Sequence, residues 1–526
     1  MTLIRLIKFL MLRLVSPMLL CPKNYNNNVR VLMSKNFRSI CLVFAVLLLI
    51  LQFFTNANGQ DLDVTIKIAV DKKITAEISG RFAPEIDRKN SRNLSLLNDY
   101  AGTTGLAGRF SNVRLLDRTG KPIGHKRFTA SEFVSESDFG GFSYTGDLSP
   151  PSRPSAAAHV SWFKNDGGIV MLDDLLPQAS GKSGRITFDV PTGWSITSSE
   201  RRDGPQTFSV ADVEKAVFYI GSDRREKILQ VGKSRLTLSL SGEWLFSDDE
   251  AAATATSIFL EYERLFAISP EQDLNLAVLK FPVAINPGNW EADTRGRSVT
   301  IISSDMPFKS QSKQRLHEQL RHEIFHLWIP NGVNLSGNYD WFYEGFALYQ
   351  SLKTGLATNT IGFDNFLDTL SRAYSIDRSQ SSQLSLIEAS KNRFSGANTQ
   401  VYARGMIVAF LCDLALLNNS KGKRSVQNIL REIFQKYHNA TQRNDGNEAV
   451  LAAFAKHAEL RPIVDRYING NEKIDWREYV SAAGLESGEQ NSTARLTVLP
   501  KLTSRQKDLL DKLGYNTWRK LSDNSK

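Results

Sequence analysis

The sequence predicts a multidomain α+β protein, with a β-sandwich-like N-terminal domain over residues 60–245 and a mainly α-helical domain over 246–490. Three observations lead there. Apolar residues alternate with period two in 63–70, 74–78 and 236–242, as half-buried strands require. From Asp248 the pattern turns helical and stays so to about residue 490, apart from one strand at 298–303. At 526 residues, 41% hydrophobic and 23% charged, the chain is globular in composition and long enough for several cores.

The first 59 residues stand apart. They hold seven basic residues (Arg5, Lys8, Arg13, Lys23, Arg30, Lys35, Arg38) and no acidic one. The net charge of +10 therefore shrinks to +3 beyond them, 58 basic against 55 acidic residues, and nucleic-acid binding is not expected. Residues 40–54 are apolar except for Gln52, and the small Ala57 and Gly59 follow. A positive stretch, a short apolar run and small residues predict a secretory signal over 33–59, cleaved ahead of Gln60, and an exported protein. The alternative is an uncleaved N-terminal anchor, the one membrane contact expected, although a span needs about 20 residues. Residues 1–32 are interrupted by Arg5, Lys8 and Arg13, so Met33 is the expected start; a basic surface-lying segment is the rival reading.

Within 60–245, turns fall at 117–122 and 191–194, with a Gly/Ser/Pro-rich loop over 140–154. His125 and His159 lack partners at metal-ligand spacing and are expected as ordinary packing or surface residues. Further on, helices are expected over 251–266, 312–328, 340–352, 360–374, 402–417, 425–437 and 448–457, and residues 491–526 form a tail with a short amphipathic helix over 502–521. Beyond the leader the single cysteine, Cys412, lies in an apolar run and reads as a small buried side chain.

Chemistry concentrates in His317-Glu-Gln-Leu-Arg-His-Glu-Ile-Phe-His326. On a helix His322 and His326 project from one face, as two ligands of one ion must, and Glu323 beside them reaches a bound water. His317 lies about 140° and 180° around the helix from those histidines and cannot join them. A catalytic zinc site wants three protein ligands and one open position. Trp341-Phe-Tyr-Glu-Gly-Phe-Ala347 offers the third, Glu344, in an aromatic run where a bare buried carboxylate would be costly without a cation. One Zn²⁺ per chain is therefore expected on His322, His326 and Glu344.

HExxH followed by a helix with W-x-x-E-G-F-A resembles the gluzincin metallopeptidases, the group of the alanyl-type and glycyl-type aminopeptidases. Tyr402-Ala-Arg-Gly-Met-Ile-Val-Ala-Phe-Leu-Cys-Asp413 is similar to their Y-x-K/R-G segment, above all that of the glycyl aminopeptidase family, and Pro191-Thr-Gly-Trp194 adds to the likeness. The resemblance covers most of 60–490. It implies a thermolysin-like zinc peptidase domain and aminopeptidase-like hydrolysis of a peptide or protein substrate by zinc-activated water. It also implies Glu323 as general base and Tyr402 as the group that steadies the oxyanion.

Three departures accompany it. The gap from His326 to Glu344 holds 17 residues where the alanyl-type pattern has 18. The strand motif that grips a substrate's free amine is not visible, and Glu291, expected as an exposed loop acid, is its one candidate. The glycyl family's PDZ module is missing after residue 490. Endopeptidase action, hydrolysis of esters or epoxides, and a dead peptide-binding site remain the alternatives.

Overall fold

In the computed structural model, the period-two alternation over residues 62–82 yields a hairpin. Strands β1 (Leu62–Val70) and β2 (Ile74–Phe82) pair antiparallel and bury Val64, Ile66 and Ile78. The structure describes residues 60–515 except 72, 85–90, 179–180, 271–272 and 491–492. The expected leader and signal lie outside the described residues. With β3 (Gly141–Asp147) and β4 (Gly184–Asp189), the hairpin forms the centre of an eight-stranded sheet. A four-stranded sheet containing β5 (Val217–Gly221) faces it, and Phe218 and Ile220 share a core with Ile66, Phe142 and Phe188. The opposite face of β5 is also buried. There Val217 and Tyr219 pack with Ala277, Leu279 and Ile302 of a third sheet.

The third sheet carries the site. Its order is β6 (Arg225–Val231), β7 (Ser234–Leu240), β8 (Asp273–Lys280), β10 (Ser298–Ser303) and β9 (Trp290–Arg295). Strands β7, β8 and β10 run parallel, while β6 and β9 are antiparallel edges. The sheet thus draws strands from both sides of residue 245. Helix α1 (Asp248–Phe266) crosses from β7 to β8 and starts at a capping box of Ser247 and Glu250. The sequence reading names neither β6, β8 nor β9, and for the last two the reason is physical. In β8 six successive residues are buried, so both faces are apolar and alternation vanishes. Strand β9 is a short edge of polar residues with no apolar pattern at all.

Beyond β10 the chain is largely helical. Helix α2 (Lys309–Glu323) ends at Glu323 rather than Trp328, and a tighter 3₁₀ turn, Ile324–Leu327, continues it. Helices α3 (Asp340–Ala357), α4 (Phe363–Arg378), α5 (Leu386–Lys391) and α6 (Gly405–Asn419) follow. Among the described residues one stretch, 400–419, is long and apolar enough to cross a membrane, and 94% of its apolar window is buried. It is the core helix, with Cys412 wholly enclosed as expected. A hairpin of β11 (Leu485–Gln490) and β12 (Thr493–Val498) lies on α4, the Ala494 and Leu496 amides donating to the Ser375 and Ser371 hydroxyls. Helix α7 (Ser504–Leu513) then buries Leu509, Leu510 and Leu513. Residues expected as a tail from 491 therefore take part in the core.

Candidate active site

Helix α2 brings His322 and Glu323 to the floor of a cleft of about 810 Å³, and the 3₁₀ turn after it carries His326. The Nε2 atoms of His322 and His326 are 3.2 Å apart. Oε2 of Glu344, on the second turn of α3, lies 3.2 Å from the first and 3.5 Å from the second. Tetrahedral ligands held at about 2.0–2.1 Å from an ion stand roughly 3.3 Å from one another, so these three atoms fit one zinc-sized ion. Nδ1 of His326 donates to the Ile329 carbonyl at 3.0 Å, which turns the Nε2 lone pair towards the other two groups. Oε2 of Glu344 is buried and accepts no hydrogen bond. Two imidazoles and a carboxylate form a donor set suited to zinc.

The electrostatics agree with the geometry. Burial opposes charge on His326, yet Glu344 and Glu323 outweigh it and lift its pKa to about 9. Burial likewise opposes charge on Glu344, and Arg393 with His326 overcomes it and holds the carboxyl well below its ordinary range.

Glu323 is 5% exposed and accepts a 2.8 Å hydrogen bond from Thr294 Oγ1 on β9. Burial raises its carboxyl above the ordinary value against the pull of both histidines, which suits a group that must take up a proton. Its nearer oxygen is 4.0 Å from His322 Nε2.

Tyr402 sits in a π-helical turn, Gln400–Arg404, that leads into α6, a local widening that is common at functional sites. The turn aims the phenol into the cleft above the cage. Burial, Glu344 and Glu323 raise the phenol well above its ordinary value, so it stays a protonated donor.

Two residues that the sequence reading passed over complete the site. Arg393, in the turn after α5, donates from Nη2 to Tyr402 Oη at 2.5 Å, contacts Glu344 Oε1 at 3.0 Å, and reaches Asp340 Oδ1 from Nη1 at 2.9 Å. One signal for it existed. Asp340 and Glu344, four apart on an apolar helix, are two buried acids where one ion balances one of them. Thr294 left no signal, because β9 itself has none.

Two expectations change. Glu291 is no exposed loop acid but the second residue of β9, half-buried on the cleft wall beside Trp290, with its carboxyl raised by burial. His326 leaves the α-helix for a 3₁₀ turn yet still meets His322. His159 is a packing residue, as expected: it lies against Tyr100, contacts Asp293 at 3.3 Å and lines the cleft. His317 points away from the cage, as expected, and lies against Thr358 and Thr360.

No family model and no curated protein matches the chain. Solved structures do. The fold is similar to an aminopeptidase N family protein from Idiomarina loihiensis, with a TM-score of 0.70 at 14% identity over 82% of this chain and 79% of that one. It is also similar to an M1 zinc metallopeptidase from Deinococcus radiodurans, with a TM-score of 0.50 at 16% identity over 79% of this chain and 93% of that one. A mutant of the latter, solved with a Tyr-Ser-Ala substrate, matches at 17% identity with a TM-score of 0.50 over 79% of this chain and 94% of that one. The chain has the fold of these peptidases.

Proposed function

We propose that the protein is a zinc metallopeptidase of the aminopeptidase type, in which the third sheet and the helices after it make a thermolysin-like catalytic domain. The observation that carries this reading is the meeting of His322, His326 and Glu344 within ligand distance, beside a cleft that His322, Glu323 and Tyr402 line. Those three residues would hold the ion. Zinc bound there supplies Lewis acidity to the scissile carbonyl and to water.

The chain's own groups do the rest. Glu323, oriented by Thr294, takes the proton from the attacking water and hands it to the departing amine. Tyr402 donates to the oxygen on which negative charge develops, a donor typically worth about 3 kcal/mol. Arg393 holds the Tyr402 hydroxyl and Glu344 in one arrangement. Glu291, on the edge strand that borders the cleft, is placed to receive the substrate's free amine, which favours removal of N-terminal residues over internal cleavage. The composition of residues 1–59 supports export, and mass spectrometry of the native protein should find a mature start near Gln60.

The test uses the purified protein with amino-acid anilides, N-blocked peptides and simple esters, with and without chelator. Wild type should carry about one zinc and release N-terminal residues. Glu323→Gln should keep the zinc while kcat falls roughly 10²–10⁴-fold, because only the proton acceptor is removed. Tyr402→Phe should keep zinc too and lose kcat more than KM. Turnover by Glu323→Gln at the wild-type rate would overturn the mechanism.

A further inference from the structure

Of the three fully buried arginines among the described residues, two have obvious partners. Arg295 Nε meets Asp293 at 2.8 Å, and Arg404 Nη1 meets Asp377 at 3.4 Å. The third, Arg321, is 4% exposed, and its Nε and Nη1 are buried without a hydrogen-bond partner. Glu318, one turn earlier on the same helix, is paired instead with Arg315 at 2.8 Å. An enclosed guanidinium without a carboxylate is costly to keep, and proteins retain such groups where a ligand completes them.

The surroundings form a built pocket. Arg321 lines the same cleft as His322 and Glu323, which Leu352 of α3 and Asn365 and Thr369 of α4 also line. Its guanidinium lies on the backbone of Gly355, where a Cβ would come within 1.7 Å of Nη1. Any side chain at 355 would therefore displace it. Arg372 lines the cleft too and adds a second positive charge to its wall.

We propose that Arg321 is the subsite for a carboxylate of the peptide substrate, either its C-terminal carboxylate or an acidic side chain. The guanidinium brings a positive charge to the cleft wall, and the enclosed setting strengthens its pull on a carboxylate. The inference rests on the metallopeptidase reading and adds a substrate class to it, namely short or acidic peptides.

The experiment compares kcat/KM of the zinc-loaded protein on a neutral tripeptide, on its C-terminal amide, and on amidated tripeptides carrying one glutamate. Wild type should favour a carboxylate-bearing peptide over the neutral amide by about tenfold or more, mainly through KM, as expected for a hydrogen-bonded charge pair. Preference for the first peptide identifies the terminal carboxylate, and preference for the glutamate set identifies the side chain. In Arg321→Met the preference should collapse towards one. The variant should also melt at or above the wild-type temperature, since it removes an unpartnered buried charge, whereas an arginine with a purely structural role would lower it. Arg321→Lys should keep part of the preference, the charge remaining and the fork being lost.

Equal hydrolysis of all the peptides by wild type would overturn the subsite and leave the peptidase reading standing. So would an undiminished preference in Arg321→Met. Hydrolysis of none of them would overturn both.

Discussion

A Cβ on Gly345 would lie 2.5 Å from the Cα of Gly405, so helices α3 and α6 touch backbone to backbone. That contact explains why a glycine follows Glu344 and another follows Arg404. It draws the carboxylate on one helix and the phenol ahead of the other into a single cleft. Gly345→Ala should push the helices apart, lowering unfolding stability by about 1–3 kcal/mol, the usual effect of overpacking. The kcat should fall with it, as Glu344 and Tyr402 lose register. Denaturant unfolding that leaves the midpoint unmoved would show that the crossing tolerates a methyl group.

Arg393 bridges the Glu344 carboxylate and the Tyr402 hydroxyl. Arg393→Met should weaken zinc retention or activity by about 10–100-fold, the range expected for groups that orient metal ligands. A compact ammonium cannot span Asp340, Glu344 and Tyr402 at once, so Arg393→Lys should recover only part of this. Competition with a chelator followed by elemental analysis measures the first effect. Unchanged zinc retention together with unchanged kcat would remove Arg393 from the site's support.

If Glu291 receives the free amine, Glu291→Gln should raise KM for free-amine peptides about tenfold or more, the loss expected for one charge-assisted hydrogen bond. N-acetylated peptides should be poor substrates of wild type and should gain relative to free ones in the variant. An acetylated peptide cut as well as a free one by wild type would point to endopeptidase action.

Acid stability should report His317. Burial, with Arg321 nearby, lowers its pKa to about 4, against about 6.5 in an unfolded chain. Below about pH 6.5 the unfolded chain therefore binds a proton that the folded one refuses. Stability falls as the pH drops from 6.5 towards 4, and the loss is complete below the folded value. His317→Gln should flatten the fall in melting temperature over that window, measured on zinc-free protein so that acid-driven loss of zinc does not enter. An equal fall in both proteins would show that His317 titrates normally.

Patterns local in the chain were legible without a fold. Residues four apart on a helix share a face whatever surrounds them, so His322 and His326 stood out. Glu344 stood out because an acid in an aromatic run demands a cation. The change from period two to a helical period placed most strands and helices for the same local reason. What stayed hidden depends on distance through space. Strand β8 is buried on both sides, and β9 is a polar edge, so neither carries a period, and with β9 went Thr294 and the true setting of Glu291. His159 lines the cleft while packing against Tyr100 and Asp293, both far from it in the chain. Arg393 and Arg321 differ in one respect, the presence or absence of carboxylates within reach. Charge pairing of that kind is settled by packing among helices far apart in the chain: the spacing of Asp340 and Glu344 signals that a further cation is needed, but not that Arg393 supplies it.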